Sequence, residues 1–138
     1  MVLTAECVLD RSDPGGLALM QRLVRAFPVL PGREGEVRAF ALEAAACSEI
    51  DEFYGGYGVQ ASTWYLQELE GRFLIIVVTD VVSSQPFATS YAASERRFDL
   101  WFKEKVRHLS GVDPDRDPLG PHAEEVFRWK PPALSGGA

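Results

Sequence analysis

Two runs of strand-forming residues, VQASTWYLQEL (Val59 to Leu69) and RFLIIVVTDV (Arg72 to Val81), are separated only by Glu70 and Gly71. The first alternates and is aromatic; the second is β-branched and apolar. A short loop containing glycine between two such runs predicts an antiparallel hairpin. No other stretch constrains the fold as tightly, because the hairpin fixes two neighbouring strands of one sheet.

The rest of the chain is read around it. In MQRLVRAFPVL (Met20 to Leu30), Arg22, Val24 and Ala26 alternate with Leu23, Arg25 and Phe27, the period of a strand with two distinct faces. Pro31 and Gly32 then make a turn, and Val37, Phe40, Ala41, Ala44 and Ala45 fall on one helical stripe that runs to about Cys47. Glu34 and Glu36 stand in its first turn, opposing the positive end of the helix dipole. The glycines of DEFYGGYG read as a turn. SSQPFATSYAAS offers serine caps and a proline suited to a first turn, so it predicts a short helix. In the next segment Phe98, Trp101, Phe102, Val106 and Leu109 line one face. Ser94 serves as N-cap, Lys103, Lys105, Arg107 and His108 lie towards the C-terminal end, and Gly111 is the stop. After the proline-rich GVDPDRDPLGP, EEVFRWKP (Glu124 to Pro131) reads as a last strand.

The order β, α, β, β, α, β predicts an α+β, ferredoxin-like fold: a four-stranded antiparallel sheet with both helices on one face. The other face would be bare and apolar, so a second subunit is expected to cover it, giving a homodimer. The expected organisation is an N-terminal arm or extra strand over residues 1–18, a domain over 19–131 and a loose tail over 132–138.

Bulk properties narrow the partners. A chain of 138 residues suits one domain, and a net charge of -6 with dispersed basic residues argues against nucleic acid. The longest apolar run, FLIIVV, has strand length and is far short of the roughly 20 residues that span a bilayer, so no membrane association is expected. MVLTAECVLDR lacks a basic region followed by an apolar core, which argues against a secretion signal and for the cytoplasm. No GxGxxG, GxxxxGK[ST] or GxSxG occurs, so neither a nucleotide cofactor nor a hydrolase nucleophile is expected. Cys7 and Cys47 lack metal-like spacing, and His108 and His122 lack ligand partners on their own elements, so no metal site is expected.

Several residues could carry chemistry. His108 falls about 80° from the buried stripe, at its margin, at about 100° per residue. It is either a cation favoured by the helix C-terminus or a proton-transfer group. His122, in the proline-rich loop, is a surface residue or part of a lid. Trp64 and Tyr65 are adjacent on a strand and must face opposite sides, so one lines the helix side and the other meets a partner. Arg22 and Arg25 diverge likewise. An inward Arg25 with Gln67 or Asp80 is a pocket polar group or a buried pair, with exposure at an edge as the alternative. Tyr54 and Trp101 belong to an aromatic set most of which should be core.

The combination of LPG before a helix, TWYLQE before FLIIVV, then RRFDLWFKEKVRHLSGVDP and a closing EEVFRW resembles a small bacterial family catalogued only as a domain of unknown function. More distantly it is similar to the dimeric α+β barrel superfamily that includes antibiotic-biosynthesis monooxygenases and some polyketide cyclases. The similarity spans about residues 20 to 130 and departs from the family pattern at Pro114 and at HAEE. It implies a flat organic ligand in a cleft between sheet and helices, often without metal or flavin. The expected function is thus a cofactor-independent cyclase or monooxygenase acting by proton transfer on an aromatic or polyketide-like substrate. His108 or Tyr65 would move the proton, Arg25 would hold a developing enolate, and Trp64 and Trp101 would clamp the ring. Tyr54, Gln67 and His122 would complete the substrate contacts. The competing expectation is a non-catalytic binding or interaction domain.

Overall fold

In a computed structural model that describes residues 20–132, the hairpin consists of β2 (Val59–Leu69) and β3 (Arg72–Val81), paired antiparallel from Leu69 opposite Arg72 onwards. Glu70 and Gly71 both take positive φ, 53° and 77°. A two-residue turn of that hand matches the twist of the strands it joins, which is why a glycine belongs there. A bulge between Val59 and Ala61 bends the far end of β2. β1 (Gln21–Pro28) pairs antiparallel with the other edge of β3, so the sheet has the order β1-β3-β2.

Four helices accompany the three strands: α1 (Glu34–Ala46), α2 (Ile50–Gly56), α3 (Ser84–Ala93) and α4 (Arg97–Ser110). All pack onto one face of the sheet, the inner face, carrying Leu23, Trp64, Leu66 and Ile75 into a single cluster with Phe40, Phe53, Phe87, Tyr91, Phe98 and Phe102. α4 ends as its sequence dictates, with Gly111 left-handed at φ 79° and its N–H returned to the Arg107 carbonyl. Its buried Lys103 donates from Nζ to the carbonyls of Ala92 and Ser94 and to Asp115 Oδ1, which ties α4 to the end of α3 and to the following loop.

The expected four-stranded βαββαβ sheet, and with it the ferredoxin-like dimeric barrel, is not what the chain forms. Among the described residues only three strands pair, and EEVFRWKP, expected as the fourth, is exposed and outside the sheet. The chain does return to the free edge of β1: Ala26 N–H donates to Pro121 O and Ala123 N–H to Val24 O, around a single bridge between His122 and Arg25. Continuing that register would set Val126 opposite Gln21, where β1 begins, so Phe127 to Pro131 would find no described strand beside them. A local competitor also acts. Arg128 donates twice to Glu125, at 2.8 and 2.7 Å, three residues away. On an extended strand those side chains would point to opposite faces.

Two further differences concern helices. Of the glycines of YGGYG, read as a turn, Gly58 does lie in one, at φ 77°, but Gly55 and Gly56 close α2, because Phe53 is an anchor: its ring centroid is within 4.7 to 5.8 Å of those of Phe102, Phe98, Tyr54, Tyr57 and Tyr91. Tertiary burial outweighs the poor helix propensity of two glycines. α4 starts at Arg97 with Arg96 as its cap; Ser94 Oγ instead accepts from the Arg96 N–H. The expected arm over 1–18 and the tail from 133 lie outside the described residues. Among the described residues no helix is long and apolar enough to cross a membrane.

Candidate functional site

Between the inner face and the helices lies a cavity of about 110 Å³. Strand alternation decides which sheet residues reach it: Leu23, Arg25 and Phe27 from β1, Ser62 and Trp64 from β2, and Ile75, Val77 and Thr79 from β3. The helices close it with Phe40, Phe53, Tyr54, Phe87, Tyr91, Phe102 and Val106, and the loop after α4 adds Pro118 and Leu119. For scale, an apolar cavity of roughly 150 Å³ accommodates benzene. The space is smaller than that, so it suits at most one ring or a short branched chain.

Polar groups in this lining are few and mostly satisfied. Trp64 Nε1–H donates to the Tyr54 hydroxyl at 3.2 Å, and the hydroxyls of Ser62 and Thr79 meet at 3.1 Å across the hairpin. Burial pushes the Tyr54 phenol up, with hydrogen bonds from Ser62 and Trp64 acting the other way, and burial likewise pushes Tyr91 up. Both phenols stay protonated near neutrality.

Arg25 is the exception. Its Nη1 donates to the Val24 carbonyl at 3.2 Å and faces His122 Nδ1 at 3.2 Å. Desolvation by burial lowers its pKa from the ordinary arginine value, offset in part by the charge of Asp117. An imidazole nitrogen facing a guanidinium N–H must accept, so His122 is held as the tautomer protonated on Nε2.

The loop carrying His122 is fastened over Phe27. Gly120 has φ 89°, and a Cβ there would fall 2.1 Å from the Phe27 ring, so only glycine permits this approach. With Pro118 and Leu119 in the lining and Pro121 and Ala123 bonded to β1, residues 118–123 form a roof at the β1 edge of the cavity.

Of the residues singled out from the sequence, Arg25, Trp64 and Tyr54 line the cavity, and His122 touches it through Arg25. The others lie elsewhere. His108 is on the surface, 44% exposed, with Nε2 2.8 Å from Glu36 Oε1 and Nδ1 3.3 Å from Arg33 Nη1. Arg33 also donates to the His108 carbonyl, so this histidine joins the end of α4 to the start of α1. Tyr65 is on the outer face, 54% exposed, and Gln67 follows it there. Trp101 packs against Phe40 and Phe98 outside the lining. Asp80 is bound by Arg22 on the outer face, at 2.8 and 3.0 Å, and not by Arg25.

Phe27, Ser62, Thr79, Pro118 and Leu119 were not singled out. Ser62 and Thr79 could have been found from the hairpin register, which sets them opposite each other two residues from Trp64. Nothing in the sequence placed the roof. Among the described residues no group of three or more His, Cys, Asp or Glu is placed to hold a metal. No protein-family model matches the chain, and no curated protein matches it. The family resemblance therefore rests on the quoted residues alone.

Proposed function

We propose that the chain is a binding domain for a small, mostly apolar organic molecule held between the inner sheet face and the helices. The observation that carries this reading is the cavity itself: aromatic and aliphatic on nearly every side, with one guanidinium at its β1 edge. Turnover by proton transfer would need a base facing the ligand. The titratable side chains of the lining are Tyr54, Tyr91 and Arg25, the two phenols raised by burial and the guanidinium a cation even when lowered. His108 and Tyr65, the expected proton carriers, stand outside it. Binding without chemistry is thus better supported than a cyclase or monooxygenase.

Thermal unfolding with millimolar toluene or indole tests this reading. A ligand that binds only the folded state raises Tm with concentration. Val77→Phe, which fills the space, should remove the rise while keeping a cooperative transition. Equal behaviour of the two proteins would refute the proposal.

A second copy of the chain is the partner this reading favours for the outer face. Val24, Ala26, Leu74, Ile76 and Val78 are only half-buried there, Tyr65 is exposed, and the segment leaving the β1 edge exposes Phe127 (81%) and Trp129 (69%). Aromatic side chains offer roughly 150–250 Å² each. Two such segments laid reciprocally on two outer faces would bring four of these side chains, roughly 600–1,000 Å², towards the roughly 1,200 Å² of a stable interface, with the sheet residues beneath them supplying the rest. Sedimentation at micromolar concentration should give a dimer that Ile76→Asp dissociates; a wild-type monomer would exclude it.

A further inference from the structure

Resting on the binding reading, we propose that the ligand is a small hydrophobic carboxylic acid whose carboxylate pairs with Arg25 while its apolar body fills the cavity. Arg25 differs from the chain's other well-placed arginines. Arg22 is paired with Asp80, Arg107 with Glu104, Asp113 and Asp115, and Arg128 with Glu125. Among the described residues no carboxylate lies within 4.0 Å of the Arg25 guanidinium, and its Nε and Nη2 make no hydrogen bond. This half-buried arginine is also the one that lines the apolar cavity, where the charge of Asp117 offsets its desolvation only in part.

Geometry narrows the anion. Nη1 is occupied by the Val24 carbonyl and His122, both of which hold the guanidinium plane in place. Nε–H and Nη2–H remain, and together they form the side of the guanidinium that grips a planar carboxylate through two parallel bonds. A phosphate monoester would bring nearly two charges to a single cation inside an apolar lining and a chain of net charge -6, so a monoanion is preferred. The cavity volume of about 110 Å³ limits the body to a ring such as that of benzoate or a short branched chain such as that of 3-methylbutanoate. His122 has a positioning role here. By accepting from Nη1 it fixes the guanidinium while leaving Nε–H and Nη2–H for a ligand, and, through the roof, it links the anion site to residues that close the apolar space.

Titration calorimetry of the full chain with benzoate and with its neutral isostere benzamide tests the assignment. Benzoate should bind at least tenfold more tightly than benzamide. Arg25→Gln should abolish that preference. His122→Ala should reduce the preference without removing it. If benzamide and toluene bind but benzoate binds no better than benzamide to the wild type, the carboxylate assignment is overturned and the apolar cavity reading stands. If none of the three probes binds at millimolar concentration, the cavity reading falls and the assignment with it. The wild-type comparison requires no variant to fold.

Discussion

The two faces of this sheet carry similar residues and meet different surroundings. Ile75 and Val77 on β3 point inward, beneath four helices, while Leu74, Ile76 and Val78 on the same strand point outward, where no described element lies over them. The inner face, covered by bulky aromatics that meet edge-on or tilted, encloses a cavity instead of packing shut. Phe40, Phe102 and Trp64 approach one another at ring distances of 5.2 to 5.9 Å, arrangements that stabilise contact but leave gaps between flat surfaces. Apart from Tyr65 and Gln67, the outer face carries mainly small and branched residues, with Arg22 and Asp80 paired at one end. Burial thus supplies stability on one side, and on the other an unspent apolar surface.

That contrast predicts unequal costs for equivalent substitutions. Phe102→Ala, beneath the helices, should destabilise by about 4 kcal/mol, whereas Tyr65→Ala on the outer face should cost less than about 1 kcal/mol in dilute monomer. Denaturant unfolding of the pair measures both, and similar losses would mean that the outer face is covered as well. Gly120→Ala should lie between them, at about 2 kcal/mol, because a methyl group at positive φ must also displace the Phe27 ring. Its effect on ligand affinity should exceed its effect on stability, since Phe27 and the roof both belong to the cavity; an unaltered affinity would detach the roof from the site.

The smallest effect concerns the outer face at low pH. A hydrogen bond from Arg22 holds the Asp80 carboxyl below the usual carboxylate range. A depressed folded-state pKa contributes stability that is present above the unfolded value, about 3.9, and is lost as pH falls through the folded value. Asp80→Asn should therefore lower stability slightly at pH 7, with the difference from wild type shrinking as pH falls below about 4, so that its acid-unfolding curve is slightly flatter there. No difference at pH 7, or one that persists undiminished at the lowest pH, would contradict the pairing.

How much of this was legible in the sequence depended on whether the deciding contacts were local. The hairpin was, because Glu70 and Gly71 fix both the turn and the register. So was α4, whose apolar stripe and terminal Gly111 lie within one segment. EEVFRWKP was not: it alternates as a strand does, but pairing depends on where β1 begins and on the Glu125–Arg128 contact, neither of which alternation encodes. α2 depended on a socket for Phe53 built from residues distant in the chain. In the site, strand parity placed Arg25 and Trp64 on the same side only once the register of all three strands was known. His108 was ambiguous because the stripe margin is compatible with a cleft or a surface, and the contacts with Arg33 and Glu36 that decide it come from α1. The roof, from a loop without periodicity, left no signal beyond Gly120.

The central claim is that the ligand sits against one face of β3 and not the other, and side-chain methyls on that strand alternate between the two. Intermolecular NOEs from bound benzoate to methyl-labelled protein test it most directly. They should reach the methyl groups of Ile75 and Val77 and miss those of Leu74, Ile76 and Val78. NOEs to the latter set, or to both sets alike, would contradict a site between the sheet and its helices.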